Sequence, residues 1–275
     1  MGETVHIDFK QSFKELTLSD ETYNIIDKNG IKLNEIVIGE FSGRDSAAAI
    51  IKAMEKDDIN VVLPIMAFTG TDYGDKKIVY KNWNILNERI KKLYKNKNKI
   101  LLPLHFMFEP KLWNALNGRF TVLISKKYGY YSPCIGCHSY LRIIRIPVSK
   151  HLGGKIISGE RIYHDKDFKI DQLEETLKVY SKICDEFDVE LIFPVKYIQE
   201  GSKIKEIIGQ NWEQGKNQFS CVFSGNYRDK EGNVIFDREK ILKILNEFIY
   251  PSSVELIKKG YEGDFRYIEI IKNFI

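Results

Sequence analysis

Three apolar runs of strand length, EIVIGEF (35–41), INVVLPIMAF (59–68) and KILLPLHFMF (99–108), are separated by segments with helical spacing. The first intervening segment, DSAAAIIKAMEK, carries Ala47, Ile50, Ile51 and Met54 on one face, and the second is NWNILNERIKKLYK. Strands this apolar are covered on both sides, so the alternation restricts the chain to an α/β fold, an open parallel sheet with helices on both faces. The pattern resumes in GKIISGERI, DQLEETLKVYSKICDEF and VELIFPV.

The flanks read differently. Residues 1–34 hold short alternating runs, TVHIDF and FKELTL, and a hairpin-type DKNG turn, which predict a small N-terminal β element. Residues 35–198 are expected to form the main α/β domain. From 199 to 275 an irregular glycine-containing stretch precedes DREKILKILNEFIY and a last helical segment, a C-terminal extension. With 275 residues and 43% hydrophobic content the chain can bury a sizeable core. Its 42 basic and 38 acidic residues leave +4, too little to establish nucleic-acid binding and no argument against it. No apolar run approaches the roughly 18 residues of a membrane span, and GETVHIDFK lacks a signal-peptide centre, so the cytoplasm is expected and no membrane partner.

The corner after the first strand is unusually polar. Ser42, Gly43, Arg44, Asp45 and Ser46 lie where the strand's carboxyl end meets a helix start, the place where open α/β sheets bind ligands. Free amides and the helix dipole there favour a phosphate, Gly43 permits close backbone approach, and Arg44 is expected as a mobile cation. Asp45, which bare phosphate repels, is expected as a helix cap or a magnesium ligand. Two further polar strand ends follow: Thr69, Gly70, Thr71 and Asp72, and Gly159, Glu160 and Arg161 with His164 and Asp165 behind them.

Four cysteines in a reducing compartment point to metal, redox or core roles. Cys134 and Cys137, two residues apart before His138, can face one ion or cluster. Haem attachment needs export, and a redox pair belongs in a smaller chain. Zinc is available in principle to Cys134, Cys137, His138 and one distant cysteine. Cys184 shares an apolar helical face with Val179, Ile183 and Phe187 and reads as core. Cys221 sits in the glycine- and amide-rich NQFSCVFSGNYRD. Arg142 and Arg145, three apart, face phosphates or solvate one side of a helix.

The corner resembles the PP-loop of the ATP pyrophosphatase superfamily, written Ser-Gly-Gly-x-Asp-Ser, in an adenine-nucleotide α-hydrolase-like, Rossmann-like (HUP) fold. Aligning Asp45 and Ser46 places Gly43 on the second glycine, Ser42 on the first and Phe41 on the leading serine. With Cys134, Cys137 and Cys221, the chain from about 35 to 228 resembles the iron-sulfur-dependent tRNA thiolation enzymes of that superfamily. The resemblance implies ATP and Mg²⁺ at residues 42–46, with Thr69, Gly70, Gly159, Glu160 and Arg161 completing the pocket. It implies a [4Fe-4S] cluster on the three cysteines with one iron open to sulfur, and catalytic roles for Asp45, Arg142 and Arg145. It also implies a sulfur donor and a tRNA acceptor, with a small metabolite as competitor, and a homodimer is a possible assembly. Zinc-finger cysteines and a separate RNA-binding domain are absent, and Leu141 stands in the region where those enzymes carry a lysine. The alternatives are a nucleotide-binding regulatory protein with zinc or a structural cluster, a cluster-dependent desulfurase, and a small-molecule PP-loop ligase.

Overall fold

A computed structural model describes residues 5–162, 168–213 and 215–275. His164 and Asp165 lie outside the described residues. The strands are β1 (His6–Ile7), β2 (Ile36–Glu40), β3 (Val61–Ala67), β4 (Asp72–Tyr73), β5 (Ile100–Leu101), β6 (His105–Met107), β7 (Lys155–Ile157), β8 (Glu190–Ile192) and β9 (Ser220–Cys221). The α-helices are α1 (Asp20–Lys28), α2 (Arg44–Ala53), α3 (Lys76–Leu93), α4 (Pro110–Trp113), α5 (Thr121–Tyr128) and α6 (Pro133–Ile143), then α7 (Ile146–His151), α8 (Glu174–Asp185), α9 (Gly201–Ile208), α10 (Arg238–Ile244), α11 (Tyr250–Tyr261) and α12 (Tyr267–Lys272).

Seven strands form one parallel sheet in the order β1-β6-β3-β2-β7-β8, with β5 pairing the start of β3. The third apolar run is therefore two short strands on one neighbour, interrupted at Pro103, which has no amide hydrogen to donate. Side chains alternate between the two faces as a pleat requires. Ile36 and Ile38 of β2 join one core with α6 and α8, whereas Val37 joins a second core under α2, α3 and α9. The first core runs from Ile7 to Ile271 and so ties both flanks to the centre.

The N-terminal hairpin does not form. β1 joins the main sheet beside β6, and the DKNG segment ends α1, with Gly30 left-handed at φ 61°. The stretch after 199, read as irregular, contains α9 packed on α2, and β9 pairs with β4 in a separate antiparallel ribbon. Among the described residues no helix is long and apolar enough to cross a membrane.

From β2 the chain moves to β3 on one side, and β7 later adds on the other. The carboxyl ends of β2 and β7 thus flank the point where the strand order reverses, and such a point leaves a crevice.

Candidate functional site

A cavity of about 530 Å³ opens there. It is lined on one side by the corner residues Ser42 to Ser46 and on another by Cys134, Cys137 and Cys221. Its volume lies in the range typical of small-molecule sites.

The corner is held by its own polar atoms. The backbone N–H groups of Ser42 and Gly43 donate to Ser46 Oγ at 3.0 and 3.1 Å, and that hydroxyl donates to the Gly43 carbonyl at 2.8 Å. The helix therefore begins at Gly43, in extended backbone, without Asp45 as its cap. Asp45 Oδ1 accepts from Arg44 Nε at 3.0 Å and Oδ2 from Arg161 Nε at 3.1 Å. Arg44 is 4% exposed, so the expected mobile cation is instead fixed against its neighbour. Gly43 and Gly159 are small for packing reasons. A Cβ on Gly43 would collide with the Gln218 side chain, and one on Gly159 would stand 2.6 Å from the Ser46 backbone.

The cysteine end is built by three segments. Ser132 caps α6, its hydroxyl accepting from the Cys134 N–H at 3.3 Å and donating to Asn226 Oδ1 at 2.8 Å. That bond turns the Asn226 amide so that Nδ2 donates to Cys134 Sγ at 2.8 Å. Trp113 Nε1 donates to Cys137 Sγ at 3.3 Å, and an indole has no other role to play. Cys221, across the ribbon from Asp72, receives the Phe223 N–H at 3.4 Å and lies 3.3 Å from Thr71 Oγ1. Each sulfur thus acts as an acceptor. Burial pushes the Cys134 thiol up to about 12 and Cys137 higher still, so the bare thiols stay protonated. A bound cation inverts that preference, and N–H donors around the sulfurs are the setting that thiolate ligands favour. The donor set fits a metal or cluster.

Behind the two lies a buried charge network. Arg142, 2% exposed, donates through Nη1 to Glu40 at 2.8 Å and through Nη2 to Glu160. Arg145, also buried, reaches Glu40 at 3.6 Å and the Ile65 carbonyl at 2.9 Å. Neither arginine solvates a helix face; both answer carboxylates at the strand ends. Gln172 donates to Glu160, and His138 Nδ1 lies 2.8 Å from Glu160 Oε1. Burial alone would raise the Glu160 carboxyl, but His138 and Arg142 hold it well below the usual carboxylate range.

Of the residues singled out from sequence, the cavity wall gathers Ser42, Gly43, Arg44, Asp45, Ser46, Thr69, Arg142, Arg145, Gly159, Glu160 and the three cysteines. Gly70 stands outside it, with a would-be Cβ 3.0 Å from the Trp113 ring, and Arg161 lies fully buried behind Asp45. Cys184 is fully buried in α8 among apolar side chains. Sequence reading missed Glu40, Trp113, Asp171, Gln172 and Asn226. The one signal available was the placement of acids and amides next to apolar runs, in VIGEF and KIDQL.

No protein-family model matches the chain. A relative from Methanocaldococcus jannaschii, named "Uncharacterized protein MJ0009", is 73% identical over 269 residues, covering 98% of this chain and 96% of that protein. The chain is also similar to a crystal structure of a 4-thiouridine synthetase in complex with RNA and bound ATP, at 18% identity and a TM-score of 0.48, over 82% of this chain and 53% of that one.

Proposed function

The chain belongs to the family of MJ0009, and for it we propose ATP-dependent adenylation followed by sulfur transfer, with a tRNA base as the leading acceptor. One observation carries the reading: the glycine corner at the helix start and three donor-supported cysteines line a single cavity at the sheet's carboxyl edge. In this reading the corner holds the triphosphate of ATP, magnesium accompanies it, and an oxygen of the acceptor attacks the α-phosphate, giving an adenylate and pyrophosphate. Helix-start amides and buried cations stabilise the charge on the phosphates as it builds. Sulfide-level sulfur from the donor would then attack the activated carbon, forming the C–S bond as the C–O bond to AMP breaks. Cys134, Cys137 and Cys221 would hold a [4Fe-4S] cluster, and three ligands leave one iron with a coordination position for sulfur. The reading takes the reaction to be cytoplasmic, where thiols stay reduced.

A second reading, a nucleotide-binding regulatory protein with zinc or a structural cluster, draws on the corner's own bonds. Both Asp45 oxygens are engaged by guanidinium groups, so magnesium has to displace Arg44 or Arg161 to reach them.

Anaerobic purification separates the two. The enzyme reading expects about four irons and four sulfides per chain, with pyrophosphate and AMP released on addition of unfractionated tRNA. Colourless protein with one zinc and no pyrophosphate supports the second. Cys221→Ala is expected to abolish cluster assembly, whereas Cys184→Ala leaves iron content intact and costs about 1 kcal/mol of stability for the small core void it creates. Equal iron in wild type and Cys221→Ala rejects the ligand assignment.

A further inference from the structure

His138, Glu160 and Asp171 form a cluster apart from the three sulfurs, each offering one ligand atom within 4.8 Å of the others. His138 Nδ1 lies 2.8 Å from Glu160 Oε1, and its Nε2 faces Asp171 Oδ2 at 3.4 Å. Carboxylate-held imidazoles of this kind are the usual form of a metal-binding histidine. Asp171 is 2% exposed, and its Oδ2 is buried with no hydrogen-bond partner among the described residues. A buried carboxylate oxygen left this way is costly unless a cation answers it.

Nε2 and Oδ2 stand 3.4 Å apart and make no hydrogen bond. Two ligands bonded to one ion at about 2.0–2.1 Å in tetrahedral geometry are about 3.3–3.4 Å apart. Glu160 is answered by Arg142 and Gln172, whereas Asp171 Oδ2 has only His138 Nε2, at 3.4 Å and outside hydrogen-bond geometry, among the described residues. Both His138 and Asp171 line the cavity, which gives an ion and its waters a way in.

We propose that His138 Nε2 and Asp171 Oδ2 bind a divalent transition-metal ion in the cavity, with Glu160 as the positioning residue behind the imidazole and water completing the coordination. The nitrogen–oxygen donor set favours manganese, iron(II) or zinc over a purely oxygen-seeking ion such as calcium.

The test uses the full chain as purified anaerobically, without nucleotide, titrated with Mn²⁺ and followed by electron paramagnetic resonance. One Mn²⁺ per chain is expected, with electron spin-echo modulation from one imidazole nitrogen. Asp171→Asn, which keeps the side chain's size, is expected to weaken binding by about 100-fold, and Glu160→Gln by about 10-fold. Bound Mn²⁺ without nitrogen modulation, or wild-type affinity in Asp171→Asn, overturns the proposal, as does no stoichiometric binding at all, which returns His138 to a buried histidinium. Should Asp171→Asn fold poorly, the nitrogen signal of the wild type decides.

Discussion

The glycine corner and the cysteine end share one cavity, yet their polar atoms stand in opposite conditions. At the corner the Ser42 and Gly43 N–H groups, the Gly43 carbonyl and the Ser46 hydroxyl have protein partners, and Asp45 holds two guanidinium groups. At the other end, donors from Trp113, Asn226 and Phe223 converge on three sulfurs, of which burial keeps Cys134 and Cys137 protonated, and Asp171 Oδ2 has no hydrogen-bond partner among the described residues. A site whose donors already have partners must exchange one set of bonds for another when ligand enters. Protonated thiols must release their protons to bind a metal, so the exchange there is of protons rather than of hydrogen bonds. On the proposed reading, nucleotide at the corner replaces hydrogen bonds and metal at the cysteine end replaces protons.

Arg142 joins the two, because it bonds Glu40 at the end of β2 and Glu160 beside His138. Arg142→Met breaks that link and carries the largest expected effect. Removing one partner of a buried ion network leaves uncompensated charge and destabilises by about 3–5 kcal/mol, measured by urea unfolding. The acid side of the profile sharpens the result. With its pKa held below the unfolded value of 4.5, Glu160 contributes stability that is present above that value and lost as pH falls through the folded one. Without Arg142 the folded value rises, so acid erodes stability from a higher pH.

Gly159→Ala tests whether the corner depends on β7. The added methyl would meet Ser46 N and Cα at 2.6 Å, backbone that cannot swing aside. Overpacking of this kind costs about 1–3 kcal/mol. The displaced α2 start is expected to weaken nucleotide binding, with metal content at the cysteines unchanged in the same preparation. A loss of both together would show that the two ends are mechanically one.

The sequence displayed the parts of this molecule that repeat a pattern. β2, α2, β3 and α3 stand where apolar runs and helical spacing put them, because burial on both sheet faces leaves a signal in every residue. Cys184 was readable for the same reason. DKNG misled because a left-handed glycine closes a helix as readily as a hairpin, and at Gly30 it closes α1. The Cys-x-x-Cys spacing named its own neighbours on one helix. The groups that address those sulfurs did not show: Trp113 and Asn226 lie 24 and 92 residues from the cysteines they bond, and only the assembled chain brings them there. Asp171 and Gln172 looked like the first turn of a helix, whereas α8 begins at Glu174 and frees both to face the cavity.

Ser46→Ala carries the smallest effect and the most direct reading of the contrast. Its hydroxyl is the acceptor for two amides, so its removal leaves the Ser42 and Gly43 N–H groups unanswered at a cost of about 1–2 kcal/mol. In a chain of this size that corresponds to about 2–6 °C in Tm. If phosphate is what those amides take when the corner opens, Mg·ATP restores their bonds in the variant, while in the wild type it first displaces the hydroxyl. Saturating Mg·ATP is then expected to raise the variant's Tm by more than it raises that of the wild type, closing part of the gap. Equal shifts in the two proteins would mean that the amides belong to Ser46 in every state, and that the nucleotide, if it binds, is held by other groups of the cavity.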